Sequence, residues 1–264
     1  MPFQPVQSPV IDGASAPLLN TNFSQNVSLQ AAECFDDLNA SSEAFLTKYL
    51  QGYYTRDIKY NVSIKYKAGG EDRFIFVGKK KSTSCLNECA FKIKLKYIPI
   101  DSNSSEILKE KKIDDCFFEV STIDNFIIGC PNPNIQVLFL EKNVPFGNIK
   151  QPNICCCSDP DFQLKNNFNF TKYRIVTNGC QCAYCCRFGP GCGFLPVNFQ
   201  ILDSTHTQIV GHIYKSELSS ENKDPLIYRI VFPSDATPEE KILIIAAAMT
   251  IDNFVYERIG KLEK

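Results

Sequence analysis

The chain has 264 residues, enough for one large or two ordinary domains with a substantial core. Its 28 Lys and Arg nearly balance its 29 Asp and Glu, so the net charge says nothing about partners, while 44% hydrophobic residues exclude a chain that is disordered throughout. Residues 48–112 carry 15 basic and 7 acidic residues, whereas residues 1–47 carry five acids and no Lys or Arg. The basic segment is compatible with an anionic surface such as inner-leaflet lipid, and equally with solvated strand faces. No nucleic-acid partner is predicted.

Residues 1–47 are rich in Pro, Gln, Asn and Ser without sustained periodicity, which predicts a disordered N-terminal arm. Near the end of this arm, Ser42–Leu50 is compatible with a short helix. The arm also lacks the positive start and the long apolar run of a signal peptide, so we expect a protein that is not secreted. The 13 cysteines are then expected to be free thiols, metal ligands or acylation sites rather than a disulfide framework.

Alternating apolar and polar residues, the period of a half-buried strand, begin at Ile58 and recur along the chain. The clearest examples are Ile58–Tyr66 and Phe91–Tyr97. Further candidates bring the total to about eleven strands: Phe74–Val77, Cys116–Val120, Asn125–Ile128, Ile135–Leu140, Phe162–Leu164, Tyr173–Val176, Val197–Leu202, Ile209–Ile213 and Leu226–Phe232.

Two hairpin-like units resemble each other. Val137–Glu141 leads to Gly147–Lys150, and Phe199–Asp203 leads to Gly211–Lys215. Each unit contains a strand, a polar turn and a returning strand with a Gly-x-Ile sequence. Related hairpins and many short strands predict a closed barrel, because closure leaves no exposed sheet edge.

One strong helix is predicted after the last strand. Thr237–Glu240 has the sequence of a capping box with Pro at the first helical position, and Gly260 marks a stop after residue 259. Residues 242–251 are apolar on every face except at Thr250, so this part is buried in protein or in lipid. Burial in protein is favoured, because a membrane span needs roughly 20 apolar residues and Asp252 at mid-bilayer would cost about 3 kcal/mol.

Together these patterns predict a mainly β fold with a closed antiparallel barrel. The barrel domain is expected over residues 48–264, wrapped around a hydrophobic C-terminal helix at about residues 238–259.

Two dense cysteine clusters suggest three interpretations. A structural zinc site commonly takes two close ligand pairs separated by a loop, and neither cluster has this spacing, which disfavours zinc. S-acylation is the second interpretation, since two or more acyl chains anchor a protein stably to a membrane. Inert, partly buried thiols are the third. The candidate residues are Cys155, Cys156, Cys157, Cys180, Cys182, Cys185, Cys186 and Cys192.

Asp224 and Asp235 stand at positions one and twelve of a calcium-loop pattern. Leu226 and Tyr228 occupy positions at which such a loop needs oxygen ligands. The pattern therefore predicts a strand with acidic ends and at best a weak calcium site.

Lysines in the basic segment are candidates for contact with anionic lipid headgroups. They are Lys79, Lys80, Lys81, Lys92, Lys94 and Lys96. No catalytic sequence motif accompanies them, so we do not expect an enzyme.

The C-terminal half resembles the phospholipid scramblase family. The similarity lies in the order and spacing of the cysteine cluster from Cys180, the strand Asn198–Asp203, the junction Ile230–Asp235 and the apolar helix ending in Ile251–Glu257. The resemblance implies a Tubby-like fold, a twelve-stranded barrel around a central C-terminal helix. It also implies membrane attachment by cysteine palmitoylation and calcium-activated, ATP-independent movement of phospholipids between leaflets. The family's calcium segment falls on Asp224 to Asp235.

Three functions are therefore considered. The first is a scramblase-like protein at the cytoplasmic face of a membrane, expected to be the plasma membrane, with self-association compatible with the sequence. The second is a lipid-binding or scaffolding module that transports nothing. The third is a zinc-stabilised intracellular regulator. Calcium is the cofactor that the first function implies, and zinc is the one that the third requires.

Overall fold

The computed structural model describes residues 28–50, 58–69, 72–82, 91–99, 116–123, 134–151, 161–177, 196–216 and 226–253. In chain order, the elements of these segments are α1 (Leu29–Ala40), β1 (Ser41–Leu50), β2 (Ile58–Tyr66), β3 (Arg73–Ser82), β4 (Phe91–Tyr97), β5 (Phe118–Thr122), β6 (Asn134–Phe139), β7 (Val144–Lys150), β8 (Asp161–Asn166), β9 (Thr171–Thr177), β10 (Val197–Leu202), β11 (Ile209–Lys215), β12 (Leu226–Val231) and α2 (Pro238–Ile251).

The twelve strands form one closed antiparallel barrel, in which each strand pairs with its neighbours in sequence and β1 pairs with β12. Side chains alternate across the wall as the period of two predicted. In β4, for example, Phe91, Ile93, Leu95 and Tyr97 are buried inside. The predicted fold class, a mainly β closed barrel with a C-terminal helix, is confirmed. Closure gives every described strand two partners, so the sheet presents no edge.

The predicted arm is wrong for residues 28–47. This part forms α1 and most of β1, and Ser42–Leu50 is a strand rather than a helix. The physical reason is that Ala44, Leu46 and Lys48 alternate with outward-facing residues and pair with both β2 and β12, so tertiary pairing overrides the polar composition. The candidate strand Asn125–Ile128 lies outside the described residues.

The two related hairpin units are β6–β7 and β10–β11. Gly147 lies opposite Val137, and Gly211 lies opposite Ile201, each beside an irregularity in the strand register. A Cβ on Gly147 would lie 2.1 Å from the carbonyl oxygen of Lys165, and one on Gly211 would lie 2.5 Å from another backbone oxygen. Both glycines therefore allow the next strand to approach closely.

Helix α2 fills the barrel. The capping box is present, because Thr237 Oγ1 accepts a hydrogen bond from the Glu240 amide at 3.4 Å and Glu240 Oε2 accepts one from the Thr237 amide at 3.1 Å. Every residue from Lys241 to Ile251 is buried, as expected for a helix that is apolar on all faces. No helix of the described segments is long and apolar enough to cross a membrane. The helical turn continues through Asp252 and Asn253, and the expected part from residue 254 lies outside the described residues.

Helix α1 lies across one end of the barrel, which we call the capped end. Ser28, at its N-cap, hydrogen-bonds Glu141 in the β6–β7 turn, and Phe35 packs edge-on against Phe139 and Phe146. At the other side of the mouth, α1 runs directly into β1. The helix therefore shields the N-terminal end of α2 from solvent.

Two polar contacts hold α1 in place. Asp37 is buried and accepts hydrogen bonds from Arg73, Tyr97 and Tyr66, which lie at the capped ends of three strands. Buried Lys241 of α2 donates hydrogen bonds to the carbonyls of Leu38 at 2.6 Å, Asn39 at 3.2 Å and Ser41 at 2.7 Å. These acceptors lie at the C-terminal end of α1, where backbone carbonyls lack helical partners and a cation is favoured.

The opposite end, which we call the distal end, is where Leu50, Ile58 and Ile251 lie. Asp252, which is fully buried there, ends the central helix. It pairs with Lys48 Nζ at 2.8 Å and accepts hydrogen bonds from the hydroxyls of Tyr60 at 2.8 Å and Tyr228 at 3.0 Å. One carboxylate thus ties the end of the helix to β1, β2 and β12.

Two buried lysines predict a pH dependence of stability. Burial lowers the pKa of Lys215 from 10.5 to about 8, against the opposing effect of Asp252, and burial with help from Lys67 lowers that of Lys241 to about 8. Between pH 8 and 10.5 the unfolded chain therefore binds more protons than the folded one. We expect the free energy of unfolding to rise above about pH 8, by roughly 1 kcal/mol per pH unit for each lysine.

Urea unfolding between about pH 7 and about pH 9 measures this slope. Lys215→Met should reduce the rise by about half, because one of two titrating lysines is removed. A slope unchanged in the variant would contradict the assignment to Lys215.

Candidate functional site: a lysine surface outside the barrel

Lysines cover the outside of the barrel at β2, β3 and β4. Because the inward positions of β4 are apolar, its alternate residues Lys92, Lys94 and Lys96 point away from the core and are partly exposed. Lys79 of β3 and Lys59 of β2 lie on the same outer face. We call this set of five residues the lysine surface.

Three of these lysines stand side by side. In the strand register, Lys59 is directly opposite Lys79, and Lys79 is directly opposite Lys94. Directly opposed residues of antiparallel strands have Cβ atoms about 5 Å apart, and like charges at such positions destabilise a sheet. The row is therefore a feature that folding alone does not favour.

An acidic residue closes the row on one side. Glu119 of β5 is directly opposite Lys94, and its Oε1 lies 2.6 Å from Lys92 Nζ. The Glu119 side chain is nearly buried, whereas that of Lys92 is 43% exposed. One carboxylate thus faces five lysines, and the face stays cationic.

Four of the predicted headgroup lysines lie together in this surface: Lys79, Lys92, Lys94 and Lys96. The grouping of Lys79, Lys80 and Lys81 as one surface is wrong, because successive strand residues point to opposite faces. Lys80 is directly opposite Ile58 and Ile93, whose side chains point into the barrel. The side chain of Lys81 lies outside the described residues.

Sequence reasoning missed Lys59 as a site residue. Its place in an alternating strand was visible, but the sequence does not specify that β2 and β3 align Lys59 with Lys79. The buried ion pair of Lys48 and Asp252 was missed for a similar reason, since the two residues lie near opposite ends of the chain.

The candidate calcium segment forms a strand, as the alternative interpretation predicted. Strand β12 runs between the two acids, and Asp235 lies exposed in the turn that leads to α2. Asp224 lies outside the described residues. An extended strand does not curve around an ion as a twelve-residue calcium loop does. Calcium binding stays a prediction.

The cysteine candidates cannot be placed. Cys155, Cys156, Cys157, Cys180, Cys182, Cys185, Cys186 and Cys192 all lie outside the described residues. Of the cysteines within them, Cys34 is buried in α1, and burial, followed by the charge of Asp37, raises the pKa of its thiol. Among the described side chains, no group of three or more His, Cys, Asp or Glu residues is arranged to hold a metal ion.

No protein-family model matches the chain, and neither does any curated protein sequence. The described structure therefore defines the class of protein by itself. It is a closed twelve-stranded barrel, filled by a C-terminal helix and carrying a cationic outer face.

Proposed function

We propose that this protein binds the anionic surface of a phospholipid membrane through the lysine surface. The observation that carries the proposal is the row of Lys59, Lys79 and Lys94, three cations directly opposite one another on neighbouring strands. Such a row destabilises the sheet, so its presence calls for an anionic ligand that the fold does not supply.

The chemistry suits lipid phosphates. A lysine carries a compact charge on a flexible stem, so several lysines adjust to headgroups whose positions in a bilayer are not fixed. Each lysine near an anionic membrane contributes about 1 kcal/mol of attraction at physiological ionic strength. Five lysines on one face therefore suffice for reversible binding.

Reversal of the central charge tests the proposal. Lys79→Glu removes one attraction and adds one repulsion, together about 2 kcal/mol, so we expect affinity for phosphatidylserine-containing vesicles to fall roughly 30-fold. Cosedimentation with vesicles of phosphatidylserine and phosphatidylcholine measures the affinity. The matched control is Lys165→Glu, which makes the same charge change on β8, nearly across the barrel.

The variants must also be compared in stability. The carboxylate introduced by Lys79→Glu would lie between Lys59 and Lys94, so we expect the free energy of unfolding to stay level or rise by about 0.5 kcal/mol. A loss of binding in a protein that is at least as stable cannot come from unfolding. Equal loss in both variants would instead indicate a response to net charge, and undiminished binding of Lys79→Glu would exclude the lysine surface.

Phospholipid scrambling is the second candidate function. It is favoured by agreement between the observed barrel with its C-terminal helix and the fold that the scramblase resemblance implies. A lipid path lined by α2 would require the helix to leave the barrel, because the helix is enclosed. Calcium activation, cysteine acylation and plasma-membrane attachment belong to this candidate.

Scrambling is tested with purified protein in liposomes that carry a quenchable fluorescent phospholipid. Loss of fluorescence beyond the outer-leaflet half, with calcium but not with chelator, would support calcium-activated transport. Loss in both conditions would support transport without the calcium site. Loss confined to the outer leaflet would leave lipid binding as the function.

A further inference from the structure

Three large apolar side chains are exposed near the distal end of the barrel. Tyr49 is 43% exposed, Ile123 is 47% exposed and Ile227 is 37% exposed. Tyr49 is the second-last residue of β1, Ile123 follows β5, and Ile227 is the second residue of β12, so each lies where its strand meets this end. Singly exposed apolar residues are ordinary, but these three share one end with a cationic surface.

The apolar residues flank the lysine surface. Tyr49 is directly opposite Lys59, at one end of the lysine row. Ile227 is directly opposite Thr47, diagonal to Tyr49 on the same outer face. At the other end of the row, β5 carries Glu119 and is followed by Ile123. The order around the barrel is therefore apolar, cationic, apolar.

The curvature of the barrel decides how a flat surface can meet all three. Strands β12 and β5 are five intervals apart in a ring of twelve, which is about 150° of arc. Outward-facing groups separated by such an arc cannot touch one plane along the side of the barrel. They can touch it together only if the plane approaches the distal end.

The capped end also exposes apolar groups. Phe168 is 50% exposed and Phe170 is 72% exposed, on the β8–β9 turn. However, this end presents exposed carboxylates at Asp36, Glu141 and Asp235, which repel an anionic membrane. At the distal end, the described carboxylates Asp161, Glu119 and Asp252 are each paired with a cation.

We propose that the distal end of the barrel docks end-on into the interface of an anionic bilayer. Tyr49, Ile123 and Ile227 enter the headgroup region, and the lysine surface contacts lipid phosphates at the rim. Tyrosine is suited to this depth, because its ring is apolar and its hydroxyl is polar. The proposal rests on the proposed function and adds an orientation and an insertion to it.

Tryptophan fluorescence tests the proposal directly, because the chain contains no Trp. Tyr49→Trp, Ile123→Trp and Ile227→Trp each introduce one probe at a position that is already partly exposed. Phe170→Trp is the matched control at the capped end. Each full-length variant is mixed with phosphatidylserine–phosphatidylcholine vesicles, with and without lipids brominated on the acyl chain close to the headgroup. Cosedimentation is measured on the same samples.

We expect the three distal probes to shift to shorter emission wavelength and to be quenched by the brominated lipid, while the Phe170→Trp probe keeps its emission. A shift of the Phe170→Trp probe, alone or together with the others, would overturn the end-on orientation. Cosedimentation without a shift at any probe would overturn insertion but leave lipid binding by the lysine surface intact. Absence of cosedimentation would overturn the proposed function, and this inference with it.

Discussion

Asp252→Ala should lower the free energy of unfolding by about 3–5 kcal/mol, because it leaves a cation without its partner inside the protein. The Lys48 Nζ atom lies 2.8 Å from the Asp252 carboxylate, and both side chains are almost inaccessible to solvent. The same carboxylate accepts hydrogen bonds from Tyr60 and Tyr228, whose hydroxyls would lose their partner. Urea unfolding followed by circular dichroism measures the loss.

Two controls separate the buried charge from other effects. Asp161→Ala breaks a pair that is partly exposed, with Arg174 37% accessible, so we expect a loss below about 1 kcal/mol. Lys48→Met combined with Asp252→Ala removes both charges and should recover part of the stability lost in Asp252→Ala. A double variant as unstable as the sum of the two single variants would contradict the assigned ion pair.

The second large effect is expected at Gly147 of β7. A Cβ there would lie 2.1 Å from the backbone oxygen of Lys165 and 3.0 Å from the side chain of Leu243 in α2. Backbone atoms of a paired strand cannot move away without loss of the neighbouring hydrogen bonds. We therefore expect Gly147→Ala to cost more than about 3 kcal/mol, the upper part of the range for overpacking, or to prevent folding.

Gly78 of β3 provides the matched control for this substitution. A Cβ at Gly78 would lie 2.7 Å from Cδ2 of Leu95, the far end of a flexible side chain, and 3.4 Å from its next neighbours. The Leu95 side chain can rotate, so Gly78→Ala should cost about 1 kcal/mol. Soluble expression and thermal unfolding of both variants measure the difference. Similar stability of the two variants would show that strands β7 and β8 are not as closely approached as described.

The enclosed helix bears on both candidate functions. Its polar ends are held at opposite ends of the barrel, by Lys241 against α1 and by Asp252 against three strands. Lipid binding by the outer face needs no change in these contacts. Lipid translocation along the helix would require their loss, so Asp252→Ala offers a comparison between the two functions. It should promote scrambling if helix release is required, and should leave vesicle binding by the lysine surface unchanged.

Local patterns predicted much of the fold. The period of two in β2 and β4, the capping box at Thr237 and the apolar run of α2 each report an interaction between residues close in sequence. For the same reason the prediction failed at residues 28–47, where a polar composition concealed α1 and β1. These elements are stabilised by contacts with distant partners, among them Asp37 with Arg73 and Lys241 with the end of α1.

The candidate site shows the same division. The sequence by itself determined that lysines of β4 face away from apolar neighbours, because alternation is a property of one strand. Only the tertiary structure decided that Lys59, Lys79 and Lys94 stand side by side, that Lys80 turns inward and that Lys48 meets Asp252. Strand register and barrel closure depend on the simultaneous pairing of twelve strands, and no local stretch of sequence contains that information.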